Sequence, residues 1–200
     1  MKTENLNVVI FVSRNKDNNN VENFKQRKES FLTNKTLDDE TIVRRFNNFV
    51  NDGVDGEMSR LYVSVNARDK VKSQKALMHH LLDNEVKLET IEGLAVRFAM
   101  KATAAEKKKL FDFDVDNQEA VIEFVDDLVS RGLTYEEVHV NKTPNGYAVV
   151  ADRGVDMRGL VDMQPDNHHK KDKGPWKWTK GEVTYKHDGF LYVSCSRKGE

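Results

Sequence analysis

Between Leu110 and Asp116 the chain reads LFDFDVD, which places carboxylates at Asp112, Asp114 and Asp116 with Phe111, Phe113 and Val115 between them. In an extended strand alternate residues share a face, so the three acids would project together while the apolar three turn to the core. A slip of one residue would bury the acids, which fixes the register. Carboxylates crowded in this way repel one another unless a cation or basic side chains neutralise them. Oxygen donors on a rigid element suit magnesium or manganese. The chemistry such an array supports is a cation site on the pair Asp112 and Asp114. A plainer reading is a half-exposed strand with a solvated polar face, in which Asp116 caps the helix that follows.

Two further segments carry residue types that meet phosphates. Thr143 to Val150 (TPNGYAVV) is a turn running into a strand, with a hydroxyl and backbone amides at its tip and Lys142 beside it. Glycine has no side chain to obstruct the close approach of a phosphate to such a turn. Farther on, the stretch from Asp166 to Lys180 holds five lysines against two aspartates. That excess would let Lys170, Lys171, Lys173 and Lys177 neutralise a backbone while Trp176 and Trp178 stack on bases. The alternative is that one or both indoles pack on a sheet beside a solvated basic loop. His168 and His169 are adjacent and lack cysteine partners, so no zinc site follows. Lys186 to Gly189 (KHDG) has the spacing of the lysine motif of covalent nucleotidyltransferases. Those enzymes need a large domain after the lysine, and 14 residues follow it here. Phe111 to Asp114 is also similar to the Asp-x-Asp of haloacid-dehalogenase phosphatases, but Asp116 stands where they carry Thr or Val.

Taken in order, the acidic strand, a helix, the glycine turn and the late Asp188 resemble the archaeo-eukaryotic primase-polymerase superfamily over about residues 108 to 193. Asp112 and Asp114 match the family's metal-binding pair, Thr143 to Tyr147 its small-residue turn, and Asp188 in YKHD its third acidic position. The resemblance implies an RRM-like core in the second half. It also implies Mg2+ or Mn2+ held by Asp112, Asp114 and Asp188, and nucleotide contacts from Lys142, Thr143, Asn145, Gly146 and Tyr147. The reaction would be nucleotidyl transfer on a nucleotide or nucleic acid. One departure is evident: Ala148 occupies the place of the family's histidine, and a methyl group cannot donate a hydrogen bond to a phosphate. His139 and His187 are the imidazoles near it in sequence. The TPNGY signature also resembles small phage-encoded proteins, which implies a host-cytoplasmic setting. It leaves open a degenerate, non-enzymatic member binding nucleic acid or a host protein.

The elements that must position these residues are readable from periodicity. Asn7 to Ser13 is rich in β-branched residues and reads as a strand, Val21 to Phe31 as a helix, and Arg60 to Asn66 as an alternating strand. Between them Thr36 can cap a helix carrying Ile42, Val43, Phe46, Phe49 and Val50 on one face and ended by Gly53. Helices are expected over Asp69 to Leu82 and Leu88 to Lys107, which gives a helix-rich half, 1–107, with two strands. The motif-bearing half, 108–200, begins with a strand from Lys109 to Val115. Asp116 and Glu119 then open a helix bearing Val121, Phe124, Val125, Leu128 and Val129 and closed near Gly132. Glu137 to Asn141 and Tyr147 to Ala151 form a hairpin, Val155 to Met163 a short helix, and Glu182 to Tyr185 with Phe190 to Ser194 a final strand pair. The fold class is α+β with a mixed or antiparallel sheet, and 200 residues suggest one domain. The single Cys195 excludes an intramolecular disulfide and a thiolate zinc site and suits a reducing, cytoplasmic setting. No stretch approaches the roughly 18 apolar residues of a membrane span, so no membrane partner is expected. A net charge of -1 means that any nucleic-acid contact must come from a local patch.

Overall fold

The structure, a computed structural model, describes residues 5–102, 104, 107–162, 176–178, 181–186 and 189–199. The chain divides into two compact units, Met1–Ala105 with Tyr192–Glu200, and Glu106–Leu191.

In the first unit the β-branched run becomes β1 (Asn5–Ser13), with Val8, Val9 and Phe11 fully buried. The helix expected over Val21 to Phe31 is absent; Arg27–Thr33 is instead a strand, β2, paired antiparallel with β1. Its register sets Phe31 beside Val9 and Glu29 beside Phe11. The alternation of Glu29, Phe31 and Thr33 gains more from the sheet than a local helix would. α1 (Glu40–Asn51) buries Ile42, Phe46, Phe49 and Val50 against this sheet and leaves Val43 exposed. Its cap is Asp39, not Thr36: the Asp39 carboxylate accepts from the Thr41 amide at 2.9 Å. β3 (Met58–Ser64) and the two-residue β4 (Arg68–Asp69) both pair antiparallel with β1. Two helices follow, α2 (Lys70–Asp83) and α3 (Ile91–Lys101), the latter ending six residues before the expected Lys107. This unit is therefore strand-rich rather than helical.

The second unit is built from β5 (Lys109–Phe113), α4 (Gln118–Ser130), β6 (Val138–Thr143), β7 (Gly146–Ala151), β8 (Val161–Asp162), β9 (Trp176–Trp178) and β10 (Gly181–Lys186). They form an antiparallel sheet in the order β6-β7-β5-β10-β9-β8. α4 lies on one face of it: Val121, Phe124 and Leu128 meet Phe111, Phe113, Val149 and Trp178 in a single buried cluster. Phe124 is its hub, with edge-on ring contacts to Phe111 and Phe113 at 4.9 and 5.1 Å. The helix cap is Asn117, one residue later than expected, accepting from the Ala120 amide. Of the expected helix from Val155 to Met163, residues 155–162 are described and do not form one; turn residues 158–160 lead into β8. Both expected C-terminal strands form, but they do not pair with each other. β10 lies between β5 and β9, while β11 (Phe190–Arg197) joins the first unit's sheet, whose order is β11-β3-β1-β2. The whole is α+β, with four α-helices among the described residues and sheets whose registered pairs are antiparallel. None of these helices is long and apolar enough to cross a membrane.

Candidate functional site

β5 is an inner strand, flanked by β7 and β10, and Asp112 lies within it next to its last residue. Its registered neighbours are Ala148 on β7 and Thr184 on β10, and Ala148 is in turn opposite Asn141 on β6. Registered residues share a face, so this row lies on the side away from α4, together with Leu110 and Val150. Leu110, Ala148 and Val150 are buried, and Asp112 is half-buried among them. A carboxylate in such a place is less hydrated than one on an open strand, which raises the value of any cation or donor that reaches it.

The strand stops at Phe113, two residues short of the expected end. Asp114 and Asp116 therefore sit in the exposed connection to α4, and Val115, expected in the core, is 44% exposed. Only Asp112 keeps a strand position, so the three acids do not form one rigid row. The stop has a local cause. A Cβ on Gly146 would lie 2.0 Å from the Phe113 carbonyl oxygen and 2.7 Å from that of Val115. The hairpin thus presses its bare glycine on the end of β5, and Asn117 starts α4 soon after. Gly146 is buried by this contact. Its lack of a side chain serves this strand packing.

The acidic segment and the hairpin turn therefore meet. Tyr147 is registered with Phe113, Pro144 and Asn145 form the exposed tip, and Thr143 is half-buried. Lys142 donates to the Asp116 carboxylate, and its ammonium lies 4.2 Å from the centre of the Tyr147 ring. The hydrogen bond from Lys142 holds the Asp116 carboxyl below its usual range, and the same bond raises Lys142. Lys142 already neutralises Asp116, and the pair expected to hold a cation is Asp112 and Asp114. Two carboxylates of this kind, one half-buried and one exposed, offer hard oxygen donors of the type Mg2+ and Mn2+ accept. Among the described residues no group of three or more His, Cys, Asp or Glu side chains is gathered as a metal cluster.

The remaining expected residues fall elsewhere. Asp188, His187, Lys170, Lys171 and Lys173 lie outside the described residues. β10 passes Asp112 at Thr184 and reaches Leu110 at Lys186. Trp176 and Lys177 belong to β9 with Trp178. Trp178 is a core residue: it is buried, packs edge-on to Phe124 at 5.6 Å, and donates its indole N–H to Asp127 Oδ2 at 3.1 Å. It is not available to stack on a base. His139 is registered with Val150 and faces Asp152, with 3.1 Å between Nε2 and Oδ2. Ala148 is registered instead with Asn141.

Sequence reading missed the polar interior of the first unit. Arg60, buried, pairs with Asp17 at 2.5 Å, and Asp17 also accepts from Arg14 at 2.8 Å. Arg27 reaches the buried Glu57 at 2.5 Å; burial alone would raise that carboxyl, but the hydrogen bonds from Arg27 and the Val54 amide bring it below its usual value. An open cleft of about 410 Å3, lined by Phe31, Thr33, Lys35, Arg45 and Lys70 among others, lies in the same unit. Its Arg45 is held by Glu29 and Glu92 and its Lys35 by Asp39. The sequence signal for Arg60 was the polar residues at alternate positions of the RLYVSVNARD run, in which Ser64, Asn66 and Arg68 are buried too; Arg27 and Glu57 left none.

No protein-family model, curated protein or solved structure matches this chain.

Proposed function

We propose that the second unit is a primase-polymerase-like domain, phage-encoded and host-cytoplasmic, that acts on a nucleotide or nucleic acid with Mg2+ or Mn2+ held at Asp112 and Asp114. The observation that carries this reading is the meeting of its two ordered motifs, since Asp112 lies on an inner strand and the TPNGY turn is seated on the end of that same strand. Chain order supports it as well. β5-α4-β6-β7-β10 with spatial order β6-β7-β5-β10 is the strand order expected of an RRM-like sheet, which supports the reading. A cation bound by the two carboxylates would neutralise phosphate oxygens and polarise the phosphorus under attack. Asp112 would orient it from the rigid strand, Asp114 would close it from the solvent side, and Asp188 is the third donor the resemblance implies. Lys142, ordered over Tyr147 and paired with Asp116, is the basic group beside the turn and would meet a phosphate by exchanging that carboxylate for it. Calorimetric titration with Mn2+ tests the site. Heat is expected for the natural chain and its loss for Asp112→Asn/Asp114→Asn, and an athermal, non-binding natural chain at millimolar metal would overturn the proposal.

A second reading is favoured by one observation: the neighbour registered with Asp112 is Ala148, buried, where the family places a histidine donor. On this reading the unit binds nucleic acid or a host protein without catalysis. Binding to a single-stranded oligonucleotide would then survive Asp112→Asn/Asp114→Asn and fall when Trp176, Lys170, Lys171, Lys173 and Lys177 are replaced. Salt separates the two partners, because phosphate contacts weaken steeply as salt rises and a protein contact need not.

A further inference from the structure

Helix α2 carries apolar side chains on two faces. One face is used within its own unit. Ser73 is buried, the His80 ring lies 5.0 Å from that of Phe98 on α3, and Leu77 lines a small apolar pocket with Leu6, Leu32 and Ala95. At about 100° per residue, Val71, Met78 and Leu82 fall within roughly 40° of one another on the opposite side. They are 47%, 53% and 81% exposed, and Leu81 flanks them. A surface helix of a globular unit normally presents one apolar stripe, to its core; a second stripe facing outward marks a contact with another molecule.

The charges on α2 say what that molecule is. Lys70, Lys72 and Lys75 occupy its first half with no acid in the first turn, whereas Asp83 ends it and Glu85 follows. Within a lone helix this order opposes the macrodipole, which favours acids at the start and bases at the end. Beside an antiparallel copy of the same helix it is favourable, since each basic end meets an acidic end and the two dipoles oppose. Lys72 lies 3.7 Å from the capping Asp69 yet stays largely exposed, so its ammonium can also reach a carboxylate outside its own helix. Lys72 and Asp83 project from the same flank of the stripe, within about 20° and roughly three turns apart. A twofold axis lying across an antiparallel pair keeps like flanks on one side, so Lys72 of one copy comes to Asp83 of the other.

We propose that this face is a twofold contact between two copies of the chain, α2 packing antiparallel on α2. Val71 of each meets Leu82 of the other, Met78 lies near the axis, and Lys72 faces Asp83. A helix of fourteen residues is only about 21 Å long, so the patch is smaller than the ~800 Å2 per partner of a standard interface. The dimer is accordingly weak and concentration-dependent.

Sedimentation velocity on the full chain in low salt, from about 1 to about 300 µM, tests this. The weight-average mass is expected to rise from 23.0 kDa toward twice that value. Leu82→Glu should hold the monomer mass throughout with an unchanged thermal melt, because the side chain is exposed. Lys72→Glu should weaken association at least about fivefold by placing like charges together, and adding Asp83→Lys should restore it. A constant monomer mass at the highest concentration overturns the proposal, as does association that Leu82→Glu leaves intact. Failure of the double exchange to restore association overturns the antiparallel arrangement. Monomers that instead bind vesicles of anionic lipid through Leu82 would assign the stripe to a membrane surface and overturn it too.

Discussion

At the scale of single residues, Gly146 and Trp178 make the sharpest claims. A methyl group on Gly146 would need the Phe113 carbonyl to move, because no flexible side chain stands between them. Gly146→Ala is therefore expected to destabilise the second unit by about 1–3 kcal/mol, the range of overpacking and forced backbone shifts, read as a lower thermal midpoint. An unchanged midpoint would mean that the hairpin does not press on β5. Trp178→Ala removes a buried indole from the Phe113–Phe124 cluster and should cost about 3–5 kcal/mol in the same assay. Trp178→Phe keeps most of the packing but loses the donor to Asp127, with an expected loss nearer 1 kcal/mol. The candidate site was partly legible at this scale. Aspartate types and spacing identify Asp112 and Asp114, but which acid a lysine would claim is decided by the fold, and it is Asp116 that Lys142 holds.

At the scale of elements, caps and strand ends decide where side chains point. Asp39 caps α1 through hydrogen bonds from the Thr41 hydroxyl and amide and from Lys35, and these bring its carboxyl down to about 2. A carboxyl lower in the folded chain than in the unfolded one contributes stability above its ordinary value near 3.8, and the contribution fades as pH falls toward 2. Asp39→Asn retains a capping oxygen without titrating. The stability difference between the two chains should be constant above about pH 5 and shrink as pH falls from there toward 2. Chemical denaturation at several pH values measures it, and a difference flat down to pH 2 would contradict the capping role. Helices with one strong apolar stripe, α1 and α4, were readable from the sequence because their periodicity alone buries Phe46 and Phe124. β2 was not: its approach, Val21 to Gln26, has no strong period, and only pairing with β1 gives Phe31 its partner.

At the scale of the whole molecule, the chain leaves the first unit, builds the second and returns to supply β11 to the first sheet. Each unit has its own buried cluster, Phe11 with α1 in one and Phe124 with the β5 sheet in the other. Phe124→Ala should therefore raise amide exchange across 109–151 while leaving the slowest amides of β1 and β3 near their natural rates, as measured by hydrogen exchange. Equal acceleration in both would show that the two clusters unfold as one cooperative body.

By itself the sequence determined the α+β class, the alternation that sets Asp112 between Phe111 and Phe113, the hairpin at Pro144 and Asn145, and the faces of α1 and α4. All of these are local or periodic properties, carried by residues within a few positions of one another. Tertiary structure alone decided that β5 ends before Asp114, that Gly146 serves packing, that Ala148 is the neighbour of Asp112, and that β11 leaves β10 for the first sheet. Each of those depends on a partner tens of residues away, and burial and strand pairing between distant segments leave no period in the chain to read.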